Sequence, residues 1–304
     1  MDQNNQGYLF VYFTDETECG EQIYFSLSKD GLHWKELNQG QPVLRSTLGD
    51  MGVRDPYILR SELDGNFYIM ATDLRIASGK SWKSARSEGS KKIIIWSSRD
   101  LVYWSVPWAY EVPMEKAGCV WAPEACYDEA NREYLVFWAS LTREKGEKDS
   151  KYRIFCARTV DFKCFSLPQK YMEKENNVID TTIVYDAGKY YRFTKDAITG
   201  GIIMEYSIGL WKEFTEILSN SLRNVTGVEG PLAYLLPDGK RWCLMVDQFE
   251  KKLGYLPLLS DDLEKGDFCV LPQTEYDLGK NKKRHGSVLR ISEEEYNRLF
   301  QKYH

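Results

Sequence analysis

One pattern, written four times over, constrains this chain more than any other property. Each copy runs a first strand, a turn, an aromatic-rich second strand, a loop of variable length, and a third strand closing on a small turn such as Ser-Arg-Asp-Leu. GVRDPYILR, FYIMATDL and KKIIIWSSRDLVYWS make one copy, and VWAPEACYD, REYLVFWAS and YRIFCARTVDFKCFS the next. VIDTTIVYD, KYYRFTKD and GIIMEYSIGLWKEFT make the third, and EGPLAYLLPD, KRWCLMVDQF and KLGYLPLLSDDLEKGDF the fourth. Units of roughly 50–65 residues built this way have the size of propeller blades with long insertions. The two ends of the chain hold the pieces of a fifth unit. GYLFVYFTDE and EQIYFSLSKDGLHWKEL are a second and third strand without a first, and HGSVLRIS is a first strand without successors. Joined, they close a ring and protect the sheet edges that an open array would expose. The prediction is an all-β, five-bladed β-propeller forming one catalytic domain over residues 1–304, with the terminal strands sharing a blade. A β-sandwich or β-helix leaves the complementary ends unexplained. ISEEEYNRLFQKYH, with a Ser cap and an acidic first turn, predicts a short C-terminal helix.

Composition sets the remaining bounds. With 43% hydrophobic and 28% charged residues over 304 positions, the chain buries a large core and is neither fibrous nor disordered. A net charge of −5 without a basic stripe argues against nucleic acid as a partner. No apolar run is long enough to span a bilayer, and MDQNNQGYLFVYF lacks the basic start and small-residue cleavage site of a signal peptide. The seven cysteines avoid CxxC spacing and read as free, buried thiols. The expected location is the cytoplasm, unless an export signal has been removed. The charged loops TREKGEKDSK and GKNKKRH read as solvated.

In a propeller the first strands line the central channel and enter it in one direction, so their opening residues meet at one mouth. Those openings are Arg54-Asp55-Pro56, Trp121-Ala122-Pro123-Glu124, Ile179-Asp180-Thr181, Glu229-Gly230-Pro231 and Arg284-His285-Gly286. Taken singly, an Asp before Pro or a Glu-Gly-Pro is ordinary turn chemistry. Taken together, several carboxylates at one mouth raise one another's pKa and resist desolvation, which asks for a chemical purpose. Glycosidic cleavage supplies one: a protonated carboxyl donates to the leaving oxygen while an ionised one activates water. Aromatic residues such as Trp121 suit stacking under a sugar ring, although a Trp here also serves a propeller core.

RDPYI with GNFYIMATD, VWAPEA with EYLVFWAS, VIDTTIVYDAGKYYRFTKD, VEGPLAY and RHGSVLRIS together resemble glycoside hydrolase family 43 across essentially the whole chain. The resemblance implies a five-bladed propeller acting by inversion on arabinose-, xylose- or galactose-containing glycans. It implies Asp55 as general base, Asp180 as pKa modulator and Glu229 as general acid. Thr181 and Thr182 depart from the Pro or Ser that follows the modulator in many members. Trp121, Glu124 and His285 are the expected sugar-binding residues. By the same resemblance, His285 is a candidate ligand, through water, of a structural calcium in the central channel, although calcium prefers oxygen ligands; hydrolysis itself requires no cofactor. Inversion expects base and acid roughly 6.5–9.5 Å apart. Arg54 is expected to turn to the opposite strand face and pair elsewhere. Asp73, Asp196 and Asp247 close the second strands, where some could reach sugar hydroxyls and the default reading is loop stabilisation; His33 and His304 read as inert. The expected activity is an inverting exo-glycosidase releasing α-L-arabinofuranose or β-D-xylose from plant-type oligosaccharides. Alternatives are a sugar-binding propeller without catalysis, or a five-bladed enzyme acting on fructans or by phosphorolysis. The fructan reading lacks its Asn-Asp-Pro-Asn entry strand here.

Overall fold

The first strands of the repeat each open a four-stranded antiparallel meander. In the computed structural model, which describes residues 5–304, four of the meanders run in sequence order. The sheet over β4 (Val53–Arg60), β5 (Phe67–Asp73), β6 (Lys92–Ser98) and β7 (Trp108–Glu111) is followed by β8 (Trp121–Asp128), β9 (Glu133–Thr142), β10 (Lys151–Thr159) and β11 (Gln169–Met172). Next come β12 (Val178–Asp186), β13 (Lys189–Asp196), β14 (Ile202–Ser207) and β15 (Thr215–Ile217). The fourth is β16 (Glu229–Leu235), β17 (Trp242–Asp247), β18 (Tyr255–Ser260) and β19 (Cys269–Val270). The fifth is assembled from both ends: β20 (Arg284–Ser292) pairs with β1 (Asn5–Phe13), followed by β2 (Tyr24–Ser28) and β3 (Lys35–Glu36). Leu9 sits opposite Leu289 and Phe10 opposite Val288. The first strands β4, β8, β12, β16 and β20 pack each against the next around the axis, and β20 returns to β4.

Why the second strands read as continuous apolar runs is now plain. Every blade is covered on both faces by its neighbours, so alternate residues feed different clusters. Leu9 and Val11 pack with Ile69 and Trp96, whereas Phe10 and Tyr12 pack with Tyr234 and Met245. Further clusters join Met70 and Ile95 to Val136 and Trp138, Phe137 and Ile154 to Ile183, and Phe193 and Met204 to Leu244 and Leu258. The third strands close on a recurring turn. The hydroxyls of Ser28, Ser98, Thr159, Ser207 and Ser260 accept backbone N–H groups two or three residues on, at 2.8–3.3 Å.

Four features depart from the sequence expectation. Each blade has a fourth strand of two to four residues, too short and too exposed to carry a period-2 signal, which also keeps the outer edge short. The two charged loops are not merely solvated. Glu147 of the first pairs with Arg153, which is fully buried, and Lys283 of the second is buried and meets Glu36 at 3.2 Å. All seven cysteines are free, but Cys164 and Cys269 are exposed because they lie beyond the third strands. Two short helices, α1 (Trp82–Ser87) and α2 (Asn220–Arg223), join the expected C-terminal α3 (Glu293–Tyr303). The Ser292 cap of α3 forms a capping box with Glu295, and Arg60 holds Glu295 through two bonds of 2.8 Å. Among the described residues no helix is long and apolar enough to cross a membrane.

Candidate active site

All five first strands open with the same irregularity. Between Arg54 and Tyr57, Trp121 and Glu124, Ile179 and Thr181, Glu229 and Leu232, and opposite Tyr12 and Phe13, the pairing register slips by one residue. The extra residues are Asp55, Ala122, Asp180, Gly230 and His285. A bulge re-aims its side chain, and here those of Asp55, Asp180 and His285 come together. Asp55, Ala122, Asp180 and Gly230 have φ of 51°, 49°, 52° and 51°. For the non-glycine residues this left-handed conformation costs about 1–2 kcal/mol each, held by the surrounding sheet. Glycine at 230 answers a second demand, since a Cβ there would come within 2.6 Å of His285 Cγ.

The register sorts the expected residues into two levels. Asp55, Asp180 and His285 are bulged residues, whereas Glu229 stands one residue earlier, level with Arg54, Trp121, Ile179 and Arg284. At the lower level His285 Nδ1 lies 3.5 Å from Asp55 Oδ1 and 3.9 Å from Asp180 Oδ2. Asp55 Oδ2 accepts the Thr72 hydroxyl at 2.8 Å, and Asp180 Oδ2 accepts the Gly230 N–H at 3.2 Å. Burial raises the Asp180 carboxyl above its ordinary value, against the pull of His285 and with the push of Glu229.

At the upper level Glu229 is clamped between neighbouring blades. Lys195 Nζ on β13 donates to Oε2 at 2.9 Å, and Arg284 Nη2 on β20 donates to Oε1 at 2.9 Å. Burial alone would raise this carboxyl; the two cations outweigh it and hold it below the usual glutamate value. Arg284 in turn donates from Nε to Asp247 Oδ2 at 2.5 Å. Asp247 faces Glu229 across β16 and β17, is fully buried with Oδ1 unpartnered, and is pushed by burial up to about 6.

Arg54 does pair elsewhere, with Glu21 at 2.9 Å and Glu16 at 3.3 Å, its guanidinium 4.4 Å from the Phe13 ring centre. Trp121 is half-buried, edge-on to Trp82 at 6.1 Å and stacked on Tyr152 at 5.8 Å. Glu124, expected at the sugar, is 4% exposed and two residues deeper than Ala122, level with Tyr57, Thr182, Leu232 and Ser287. Burial pushes its carboxyl well above the usual range, Thr182 being its hydrogen-bonding neighbour, and Oε2 has no partner. Asp73 and Asp196 stabilise loops as expected, through Asp50 N and Ser90 Oγ, and through Ile198 N and Asn176 Nδ2. Asp247 does not: it belongs to the site. Sequence reasoning also passed over Lys195 and Arg284. Arg284 was findable, because it holds the same register as Glu229.

A calcium ion takes six to eight oxygen ligands. The axial residues do not supply them: His285 Nδ1 faces two carboxylates, and among the described residues no group of three or more His, Cys, Asp or Glu side chains is arranged to hold a metal.

A five-bladed propeller that gathers three carboxylates from three blades at one mouth has the frame of a glycoside hydrolase. Residues 3–297 match the family described as a probable glycosyl hydrolase domain, related to glycoside hydrolase family 43, and the chain belongs to that family. It is 30% identical over 218 residues to an alpha-L-arabinofuranosidase of Bifidobacterium longum subsp. longum, a match covering 66% of this chain. The match spans only 20% of that protein's length. A family-43 beta-1,3-galactosidase solved with galactodeoxynojirimycin superposes with a TM-score of 0.61 at 12% identity, over 87% of this chain and 90% of the other. A thermostable family-43 glycoside hydrolase superposes at 0.54 and 16% identity, over 75% of each chain. At those identities the likeness is one of fold.

Proposed function

We propose that the chain is an inverting exo-glycoside hydrolase that releases a terminal α-L-arabinofuranose or β-D-xylose from plant-type oligosaccharides. The observation that carries the reading is the convergence of Asp55, Asp180 and Glu229, from three separate blades, on one mouth beside His285. Asp55 takes a proton from water as the water oxygen bonds to the anomeric carbon. Glu229 gives its proton to the glycosidic oxygen as the bond from that carbon breaks, so one water is consumed and the anomer inverts. Asp180, level with Asp55 and one residue below Glu229, tunes their charge. Trp121, half-buried at the level of Glu229 with one face against Tyr152, is the aromatic ring on which a sugar could stack. The arabinofuranosidase relative supports arabinose as the sugar. Seven unpaired cysteines favour a reducing compartment, hence short oligosaccharides in the cytoplasm.

A panel of aryl α-L-arabinofuranosides, β-D-xylosides and β-D-galactosides, with the first-formed anomer followed by NMR, tests the reading. Inverted product from one of them is the expected result, with Glu229→Gln losing turnover while still binding ligand. Retained configuration would remove Asp55 from the base role. Turnover that requires phosphate would point to phosphorolysis, and no turnover on any glycoside or oligosaccharide to a sugar-binding propeller.

A further inference from the structure

We propose that Lys195 is a positioning residue for the acid step: at rest it is paired to Glu229 Oε2, and sugar binding draws it away so that the carboxyl can carry its proton. The inference rests on the reading of Glu229 as general acid and goes beyond it. A carboxyl group has two oxygens, and both are taken here by cationic donors at 2.9 Å, Oε1 by Arg284 and Oε2 by Lys195. An oxygen that accepts from an ammonium N–H cannot present its own O–H in that direction, and two cationic donors in contact favour the ionised carboxylate over the protonated one. Glu229 therefore becomes a better proton donor when one clamp opens.

Geometry selects which one. Arg284 is fixed at both ends, donating to Asp247 through Nε and to Glu229 through Nη2, with its guanidinium 5.5 Å from the Phe13 ring centre. Lys195 makes a single ion pair at the end of a flexible four-carbon stem. Its Nζ also lies 3.9 Å from the centre of the Phe249 ring, a cation–π contact that gives it somewhere to stay on leaving Glu229. It is near enough to Asp180 to pull that carboxyl down. The groups facing Glu229 and Lys195 are thus Asp180 on β12, Asp247 on β17, Arg284 and His285 on β20, and, across the mouth, Asp55 on β4. Moving Lys195 from Glu229 toward Asp180 would free the acid to hold a proton and keep the modulator ionised, which are the two charge states that inversion needs.

The test pairs Lys195→Met, which removes the charge at similar volume, with Lys195→Arg, which keeps it. The basic limb of the pH profile of kcat/KM, measured with an aryl α-L-arabinofuranoside, reports loss of the acid's proton from the free enzyme. Lys195→Met is expected to move that limb upward by about one pH unit or more, and Lys195→Arg to leave it near the wild-type position. Direct titration of the Glu229 carboxyl by carbon NMR, identified by its absence in Glu229→Gln, reads the same clamp without turnover. It should show the same upward shift in Lys195→Met. An unmoved limb and an unmoved carboxyl overturn the inference and leave the hydrolase reading standing. A shifted carboxyl in a protein that hydrolyses nothing overturns the hydrolase reading and, with it, the catalytic role of the clamp.

Discussion

Thr72 donates its hydroxyl to Asp55 Oδ2 at 2.8 Å while accepting the backbone N–H of Ala122, in the next blade, at the same distance. One side chain therefore fixes the rotation of the proposed base and ties two bulges together. Thr72→Val keeps the shape and removes both bonds. It is expected to lower kcat/KM by about 10–100-fold through misplacement of Asp55. It should also cost roughly 1–3 kcal/mol of stability, since the Ala122 N–H is left buried without an acceptor. Thr72→Ser should recover most of both, as read by steady-state kinetics and thermal unfolding.

Asp247 predicts a pH dependence of stability. Its folded pKa is raised, from 3.8 to about 6, so between those values the folded state holds a proton that the unfolded state has released. Stability from this group is full below about pH 4 and declines as pH rises through 6, by on the order of 2–3 kcal/mol. Asp180 and Glu124, also raised by burial, add to the same slope. Glu229, lowered by its cations, works oppositely and only as pH falls through its own, lower value. Asp247→Asn, which keeps an acceptor for Arg284, should flatten the decline across pH 4–6.5 in denaturant titrations at fixed temperature. An unchanged slope would place the burial cost elsewhere.

Gly230→Ala should be damaging twice over. The substitution forces alanine into φ 51° and sets a Cβ 2.6 Å from His285 Cγ. About 1–2 kcal/mol follows from the backbone alone, and the ring must shift away from Asp55 and Asp180. A larger loss of kcat than of thermal stability is the expected signature.

Ser292→Ala provides the contrast. Removing the capping-box hydroxyl of α3 should cost about 1 kcal/mol. It stands eight positions from Arg284, about 25 Å along β20, so kcat/KM should stay at the wild-type value while the melting temperature falls.

The blades were readable because each second strand is buried on both faces and so spells a long apolar run, and because the terminal fragments GYLFVYF and HGSVLRIS are complementary. Asp55, Asp180 and His285 were readable because they recur at one place in the repeat. What escaped was charge that depends on a partner from another blade. Lys195 closes a strand in TKD and looks like a loop residue until Glu229 arrives from β16. Lys283 and Arg284 end a lysine-rich run that reads as solvated, yet Glu36 and Asp247 draw them inward. Glu124 escaped for another reason: only the bulge register shows that it lies below the mouth and not at it.

The pairing of β20 with β1 bears on when this protein becomes competent as well as on how it is closed. Four of the blades are local meanders whose strands can find one another soon after they are made. The fifth must bring Leu289 to Leu9, and such non-local pairings are slow because loop closure is lost entropy before it is gained contact. Arg284 and His285 travel on that last strand. A chain with four blades formed and β20 still loose would already carry Asp55, Asp180 and Glu229, but with no guanidinium on Glu229 and no imidazole between the two aspartates. If β20 pairs last, the assembled site is withheld until the ring is shut.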